Sequence, residues 1–185
     1  MENADRARRR VGERMNRAVF LDRDGTLMEE VCYCGDPAKV KIYAGVADAL
    51  RRLKQAGFLL FIVTNQSGIG RGIITEAQYH AVQAELVHQL GDGLIDGSYF
   101  CPDTPGVDSA RRKPEPGMVL EAAREFGIDL PRSFLIGDKS SDVNCGRRAG
   151  TRTIQVMTGY GREQKSAADF TARDFIEAAH IVLEL

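Results

Sequence analysis

The chain has 185 residues, 43% of them hydrophobic, and a formal net charge of −1. This length and composition suit one compact α/β domain and are too small for two large domains. A charge so near zero provides no global basic field for nucleic acid, and no apolar run approaches the ~20 residues of a membrane span. We expect neither nucleic acid nor a membrane as a partner, and we expect a monomer.

The first residues, MENADRARRRVGERMN, form a basic segment without the apolar core of a secretory signal. We predict that residues 1–16 are a solvated, disordered arm and that residues 17–185 form a single domain. Because the sequence shows no export signal, we expect a cytoplasmic location, where cysteines stay reduced. These cysteines are Cys32, Cys34, Cys101 and Cys145.

Short apolar runs alternate with helical patterns along the chain. An apolar strand over 18–21 is followed by a helix over 45–57, in which apolar residues recur at helical spacing. The continuous apolar run over 58–64 predicts a strand buried on both faces. A helix over 75–90 begins with a Thr cap, and a short strand follows over 97–101.

The second half of the chain continues the same alternation. A helix over 115–127 is opened by Pro116 and stopped by Gly127. The remaining predicted elements are a strand over 133–138, a helix over 141–150, a last core strand over 151–157 and a closing helix over 171–185 with a Thr cap.

This order of elements predicts an α/β fold, with a doubly wound parallel sheet and helices on both faces. Two long loops, 27–44 and 101–115, show no period. Loops of that length in a compact domain are usually functional, so we expect both to border a site.

Two aspartates follow the first strand, in the stretch AVFLDRDGTLMEE over 18–30. Ligands of an open parallel sheet bind beyond the carboxyl ends of its strands, and residues two apart in an extended chain point the same way. Asp22 and Asp24 can therefore share one crevice, where they repel unless a cation joins them or one takes a proton. Alone, the pattern also fits one aspartate that caps a turn beside a solvated one.

The second strand ends in VTNQSG over 63–68, which places the Thr64 hydroxyl and the Asn65 amide where a phosphate oxygen could be held. Alone, this stretch also fits an ordinary strand-to-helix turn. The glycines that follow are expected to leave backbone N–H groups accessible to an anion. They are Gly68, Gly70 and Gly72.

The fourth strand ends in IGDKSSD, which contains Asp138 and Asp142. Together with Asp22 these hard oxygen donors suit Mg²⁺. Lys113 lies before them in RRKPEPG, where Pro114 stiffens the chain. A lone lysine there would be an ordinary surface charge. Only the joint pattern described next indicates that Lys113 belongs to the site.

The joint pattern is hhhh-D-x-D-G-T, then hhhh-T-N, then K-P, then hhh-G-D-x-x-x-D on successive strand ends. From about residue 18 to 157 it resembles the haloacid dehalogenase (HAD) superfamily of aspartate-nucleophile phosphatases. The resemblance implies a HAD-like Rossmannoid fold, capless with loop insertions. It also implies Mg²⁺-dependent hydrolysis of a phosphomonoester through an aspartyl-phosphate.

The resemblance assigns catalytic roles to four residues. Asp22 is the nucleophile, and Asp24 donates a proton to the leaving alkoxide and later takes one from water. Lys113 and the Thr64 hydroxyl hold the other phosphoryl oxygens.

The implied metal ligands are Asp22, the backbone carbonyl of Asp24 and Asp138. Asp142 is expected to orient Lys113 or a metal-bound water from behind.

Local matches narrow the class further. FLDRDGTL, TNQSGIGRG (64–72), RKPEPGM (112–118) and DGSYFCP (96–102) resemble the D,D-heptose 1,7-bisphosphate phosphatases and the related histidinol-phosphate phosphatases. By that resemblance the partner is a small phosphorylated sugar, within lipopolysaccharide-precursor metabolism. The implied substrate-binding residues are Tyr33, Asn65, Gln66, Ser67, Arg112 and Lys139.

The substrate has alternatives. The stretch EVCY over 30–33 departs from the usual Asp-His-Gly-Tyr and keeps only Tyr33. Arg112 and Lys139 supply cations for a second phosphate, whereas Glu29 and Glu30 could serve the cationic amine of histidinol phosphate. Other small sugar phosphates and a non-catalytic phosphate-binding or phosphoacceptor module also stay open.

Relatives typically carry a structural Zn²⁺ in the loop before the catalytic lysine, held by Cys-x-His and Cys-x-Cys. Here the loop reads CPDTPGVDSARRKP over 101–114 and offers too few ligands for a closed tetrahedral site. We predict no structural zinc, and an ion pair between Asp103 and Arg111 or Arg112. A rival is a displaced metal site made by Cys32, Cys34 and Cys101. The four positions that correspond to the zinc ligands hold Cys101, Asp103, Ser109 and Arg111.

Overall fold

The computed structural model describes residues 15–185. Residues 1–14 of the predicted arm lie outside this range. Asn16, at the end of that arm, donates its N–H to the carbonyl of Gly127 at 2.9 Å and accepts from the N–H of Asp129 at 2.8 Å. The described chain therefore joins the fold by residue 16.

A six-stranded sheet forms the centre of the fold, with strand order β3-β2-β1-β4-β5-β6 and every neighbouring pair parallel. The chain builds outward from β1 on one side and then returns to build outward from β4 on the other. The crevice at this reversal, between β1 and β4, is where such sheets bind ligands. The strands are β1 Arg17–Leu21, β2 Phe58–Asn65, β3 Gly97–Cys101, β4 Phe134–Gly137, β5 Arg152–Val156 and β6 Phe170–Ala172.

Helices cover both faces of this sheet, as predicted. Alternate residues of β1 enter two separate apolar clusters, Val19 and Leu21 on one face and Ala18 and Phe20 on the other. Burial on both faces explains why the strands read as continuous apolar runs. The helices are α1 Val46–Gln55, α2 Ser67–Gly70, α3 Glu76–Leu90, α4 Gly117–Phe126, α5 Ser140–Ala149 and α6 Phe175–Glu184, with 3₁₀ turns at Pro37–Lys39 and Leu130–Arg132.

Local signals in the sequence set several of the helix ends. Thr75 caps α3, because its hydroxyl accepts from the N–H of Gln78 while the Gln78 side chain accepts from the N–H of Thr75. Gly127 and Gly150 follow α4 and α5 in the left-handed conformation that glycine adopts without strain. Between β1 and α1 the described chain forms loops and one 3₁₀ turn, which agrees with the expected capless architecture.

The end of the chain differs from the prediction. The strand over 151–157 is not the last, because β6 pairs with β5 through Ile154 and Phe170. Thr171 lies within β6, and the closing helix begins at Phe175 with Asp174 as its cap. A three-residue strand is too short to show a period, so the sequence pattern does not separate it from the helix that follows.

Among residues 15–185, no helix combines the length and apolar character that crossing a membrane requires.

Candidate active site

The ends of β1, β2 and β4 bring the predicted carboxylates and hydroxyl together. Asp22 directly follows β1, and its N–H donates to the carbonyl of Ile136 in β4 at 2.9 Å. Asp138 directly follows β4, and Asp142 lies in the first turn of α5. One carboxylate oxygen from each of these three buried residues lies within 4.8 Å of the others. With Lys113 they form what we call the charged floor.

Lys113 completes the charged floor from a distant part of the chain. Its Nζ donates to Asp22 Oδ1 at 2.6 Å and to the carbonyl of Val63 at 2.8 Å, and lies 2.7 Å from Asp142 Oδ1. Burial alone would lower the pKa of this ammonium, but the charges of Asp142 and Asp22 raise it above its ordinary value. Lys113 is therefore a buried cation held against the carboxylate of Asp22.

Asn65 fixes the backbone that carries Lys113. Its side-chain Nδ2 donates to the Lys113 carbonyl at 3.0 Å, and its Oδ1 accepts from the Lys113 N–H at 3.0 Å. Both ends of the amide are thus engaged by the backbone of one residue, Lys113. The side chain positions the lysine, a role that the spacing of Asn65 and Lys113 in the sequence could not reveal.

The charged floor contains carboxylate oxygens that a cation could bind. Among residues 15–185, Asp22 Oδ2 and Asp138 Oδ1 are buried carboxylate oxygens without a hydrogen-bond partner, and leaving such atoms unpaired is costly. Burial, together with the charges of Asp22 and Asp142, raises the pKa of Asp138 to about 8. A hard divalent cation would relieve both the repulsion and the missing contacts, so the residues present fit Mg²⁺.

Two glycines allow the backbone to pack closely against Asp138. A Cβ at Gly25 would lie 2.4 Å from Asp138 Oδ2, and one at Gly159 would lie 2.3 Å from the same oxygen. Both residues also have positive φ, where side chains are strained. The peptide groups of these turns can therefore pack directly against the carboxylate.

Asp24 is held by two side chains. Arg23 donates from Nε to Asp24 Oδ2 at 2.9 Å and from Nη2 to Oδ1 at 3.1 Å. Gln66 Nε2 donates to the same Oδ2 at 2.9 Å and to the Thr64 hydroxyl at 2.9 Å. Burial alone would lower the pKa of Arg23, but the charge and hydrogen bonds of Asp24 raise it above its ordinary value. Arg23 was not predicted to act in the site, although an arginine between two aspartates at a buried strand end was a visible signal.

The glycines after β2 behave differently from expectation. The N–H of Gly70 donates to the carbonyl of Pro102 at 3.1 Å, and that of Gly72 donates to the carbonyl of Ile69 at 2.9 Å. The prediction that these two amides are accessible to an anion is therefore wrong. Gly70 is instead needed for close approach, because a Cβ there would lie 2.5 Å from the Pro102 carbonyl oxygen.

A cleft of about 270 Å³ opens beside Asp24. Its outer side, which we call the cleft wall, consists of residues 30–34 with Lys139 and Tyr160. Lys139 Nζ lies 3.1 Å from Glu30 Oε2 and 4.7 Å from the centre of the Tyr160 ring. The predicted substrate-binding residues that line this cleft are Tyr33, Asn65, Gln66, Ser67 and Lys139.

Arg112 lies elsewhere. Its Nη1 donates to the backbone carbonyl of Asp103 at 2.6 Å, and the residue borders a second cavity of about 470 Å³ together with Val107 and Ser109. The structure therefore does not bring Arg112 into the cleft beside Asp24, although Lys113, the next residue, belongs to the charged floor.

Comparison with known proteins identifies the family of the chain. A family model described as HAD-hydrolase-like matches residues 110–181. The D-glycero-β-D-manno-heptose-1,7-bisphosphate 7-phosphatase of Yersinia pestis is 40% identical over 168 residues, which are 83% of this chain and 88% of that protein. The protein of the same name from Haemophilus influenzae is 37% identical over 185 residues, 92% of this chain and 99% of that protein. This chain belongs to the heptose-1,7-bisphosphate phosphatase family of HAD-like hydrolases.

A solved structure of the heptose-1,7-bisphosphate phosphatase family has the same fold. The D,D-heptose 1,7-bisphosphate phosphatase from B. bronchiseptica, complexed with magnesium and phosphate, superposes with a TM-score of 0.84 and 29% identity. The match covers 91% of this chain and 98% of that one. The predicted HAD-like fold is therefore confirmed, as is the expectation that the chain is a phosphatase.

In this member of the heptose-1,7-bisphosphate phosphatase family, hydrogen bonds tie the loop after β3. The Cys101 thiol donates to Asp103 Oδ2 at 3.4 Å, and the Ser109 hydroxyl lies 3.6 Å from the same sulfur. The pKa of Asp103 is lowered by hydrogen bonds from Ser109 and Cys101.

The prediction of an ion pair between Asp103 and Arg111 or Arg112 is wrong. Arg111 Nε lies 3.2 Å from Glu121, and Arg112 binds the Asp103 carbonyl rather than its carboxylate. Because Ser109 and Cys101 already donate hydrogen bonds to that carboxylate, the two arginines bind other groups.

The cysteines do not assemble the alternative metal site. Cys34 is buried with its thiol 3.6 Å from the carbonyl of Asp36, while Cys32 is exposed. Within residues 15–185, the group that could hold a metal is the acidic one formed by Asp22, Asp138 and Asp142. The expectation that no zinc binds after β3 stays a prediction.

Proposed function

We propose that this protein removes the 7-phosphate of D-glycero-D-manno-heptose 1,7-bisphosphate through an aspartyl-phosphate. The observation that carries the proposal is the charged floor, in which a buried ammonium contacts the carboxylate of Asp22 beside two unpaired carboxylate oxygens. The activity of the relatives, heptose-1,7-bisphosphate 7-phosphatases, supplies the substrate.

Asp22 is the nucleophile of the first step. Its carboxylate attacks phosphorus, the bond from phosphorus to the ester oxygen breaks, and the leaving alkoxide takes a proton from Asp24. Lys113 and the Thr64 hydroxyl hold the remaining phosphoryl oxygens as charge moves during this displacement. The position of Asp24 at 9% exposure, on the border of the cleft, suits contact with the leaving oxygen.

Water completes the reaction in the second step. Asp24, now a carboxylate, takes a proton from water, whose oxygen attacks phosphorus. The bond from phosphorus to Asp22 breaks, which releases inorganic phosphate and restores the carboxylate. Asn65 and Asp142 keep Lys113 in place through both steps, because they hold its backbone and its ammonium.

Asp22, Asp138 and the backbone carbonyl of Asp24 would hold Mg²⁺. When bound, the ion would neutralise charge as one anion approaches another. Asp142 is engaged by Lys113 and by the N–H of Lys139, which suits a supporting position behind the ligands.

The cleft beside Asp24 is the proposed site for the sugar. Lys139 is a cation that lines this cleft and can receive the second phosphate, while Tyr33, Gln66 and Ser67 border it. Glu30 is paired with Lys139, which argues against a free carboxylate for the cationic amine of histidinol phosphate. Arg112 would contribute only if the loop that carries it moves toward the cleft.

We place the protein in the cytoplasm as a monomer, within lipopolysaccharide-precursor metabolism. Four free cysteines, three of them buried, suit a reducing compartment. The bacterial relatives named as heptose-bisphosphate phosphatases support the metabolic assignment.

A comparison of two proteins tests the proposed function. We expect the wild type with Mg²⁺ to hydrolyse p-nitrophenyl phosphate and, among a panel of sugar phosphates, to prefer the heptose bisphosphate. The Asp22→Asn variant should lose on the order of 10⁵-fold or more in turnover, as when a nucleophile is removed. Equal turnover by wild type and variant would exclude the aspartyl-phosphate.

A further inference from the structure

Arg23 is the largest fully buried side chain among residues 15–185. A buried guanidinium is costly to desolvate unless it is paired and hydrogen-bonded. Its partner is Asp24, the residue that follows it in the chain, and the two form a pair of parallel N–H···O bonds. The proposed function leaves this arginine without a role.

The pair does not join separate parts of the fold. An ion pair between sequence neighbours closes no loop, so it adds little that would hold helices and strands together. What it does fix is the rotamer of Asp24, because a bidentate contact sets both the position and the plane of a carboxylate. The local geometry therefore points to orientation of Asp24.

Gln66 extends this control to the phosphate side of the site. Its Nε2 donates both to Asp24 Oδ2 and to the Thr64 hydroxyl, so the two groups are held at a fixed separation. Gln66 is 5% exposed, which shields these hydrogen bonds from competing water. Gln66 thus sets the distance between Asp24, the proposed proton donor, and Thr64, a proposed phosphoryl contact.

The Tyr79 ring of α3 packs against the Arg23 guanidinium. The guanidinium carbon lies 5.5 Å from the centre of the Tyr79 ring, and that ring lies 4.3 Å from Phe100 in β3. Burial is the main reason that the pKa of Tyr79 is raised to about 12, so the phenol stays neutral. A neutral aromatic face is a favourable base for a cation and limits its movement.

We propose that Arg23 and Gln66 are positioning residues that hold the Asp24 carboxylate with its Oδ1 available to the leaving group. Oδ2 accepts two hydrogen bonds, whereas Oδ1 accepts one among the described residues, from Arg23 Nη2. Oδ1 is therefore the oxygen with a lone pair to carry the transferred proton. This inference rests on the proposed acid role of Asp24.

The test uses two substrates of similar size, p-nitrophenyl phosphate and benzyl phosphate. Nitrophenolate leaves without a proton, whereas the benzyl alkoxide needs one. The quantity to compare is kcat/KM, because it reports the steps up to departure of the leaving group. A residue that acts through Asp24 must affect benzyl phosphate more than p-nitrophenyl phosphate.

For Asp24→Asn we expect a loss of about 10²–10⁴-fold on benzyl phosphate and a much smaller loss on p-nitrophenyl phosphate. Arg23→Lys keeps the charge but loses the bidentate contact, and Gln66→Leu removes the second donor. Each should lose up to about 10²-fold on benzyl phosphate, the effect of displacing a catalytic group by about 1 Å.

A control variant separates positioning from stability. Lys54→Met breaks a partly buried ion pair with Asp96 far from the cleft. It should leave the ratio of the two kcat/KM values unchanged. Circular dichroism and thermal unfolding establish that each variant is folded.

The outcomes are distinguishable. Equal losses on both substrates in a folded Arg23→Lys protein would overturn the inference, while a selective loss in Asp24→Asn would leave the proposed function standing. Equal losses in Asp24→Asn would instead refute the acid role itself. If the Arg23→Lys protein does not fold, the Gln66→Leu protein tests the inference instead. A wild-type ratio of the two kcat/KM values in that protein would contradict the positioning role.

Discussion

The charged floor and the cleft wall are neighbours that are built in different ways. Two carboxylates of the floor follow the ends of β1 and β4, a third lies in the first turn of α5, and Lys113 comes from the loop before α4; all four side chains are at most 6% exposed. The wall is formed mainly by the loop over 30–34, where Tyr33 is 38% exposed with a φ of 51°. In the proposed function the buried floor holds the reacting groups, whereas the loop presents groups that contact the rest of the substrate. The comparison suggests that chemistry and selectivity can be changed independently.

The largest effect should follow from Lys113→Met, which breaks the floor. The variant leaves Asp22 and Asp142 buried without their cation, at a cost of about 3–5 kcal/mol in the free energy of unfolding. For a chain of this length that lowers Tm by about 10 °C, and turnover should also fall on the order of 10²–10³-fold. Differential scanning calorimetry and steady-state kinetics measure both quantities.

An exposed pair provides the control for this prediction. Arg148 and Glu115 are paired at the surface, where an ion pair contributes only about 0–1 kcal/mol. Arg148→Met should therefore keep nearly the wild-type Tm. A Lys113→Met protein as stable as this control would show that the floor is not held by its buried ammonium.

Magnesium should stabilise the floor by an intermediate amount. At 100-fold excess over its Kd, a ligand that binds only the folded state adds about 2.7 kcal/mol, or about 5–10 °C in Tm. Asp138→Asn should abolish the shift, because Asp138 provides an unpaired buried oxygen. The exposed Asp92→Asn variant should retain it. Thermal melts with and without Mg²⁺ give the result, and a shift that persists in Asp138→Asn would place the ion elsewhere.

The smallest effect should follow from Glu30→Gln, which alters only the wall. Removing the carboxylate frees Lys139 for the second phosphate, and KM for the heptose bisphosphate should fall by about two- to fivefold. The value of kcat should stay unchanged, because Glu30 does not contact the floor. Kinetics on the bisphosphate and on p-nitrophenyl phosphate separate these effects. A change in kcat on both substrates would contradict the independence of wall and floor.

The floor could be predicted from the sequence because strand ends carry positional information. Asp22, Thr64 and Asp138 each follow or end an apolar run, and parallel strands bring such positions to one edge of the sheet. The Lys113 contact came from the resemblance to a family rather than from any local pattern. The structure then shows the physical reason, an ammonium 2.6 Å from Asp22.

The wall and the supporting contacts could not be predicted in the same way. Whether Arg112 faces the cleft depends on loop geometry, for which the sequence has no period. Arg111 pairs with Glu121, and Asn65 binds the backbone of Lys113. Both contacts join residues far apart in the sequence, and each residue had several possible partners. Similarly, Thr171 looked like a helix cap because β6 is only three residues long.

The two hydrogen bonds between Asn65 and the Lys113 backbone have a consequence for protein engineering. Asn65 is also the register partner of Cys101, and the N–H of Gln66 donates to the Cys101 carbonyl at 2.7 Å. The segment over 102–112 therefore leaves beside Asn65 and Gln66 and returns beside Asn65, so its two ends are anchored independently of its length. Insertions or deletions inside it should leave Lys113 in place, which makes this segment a position where new recognition loops can be grafted.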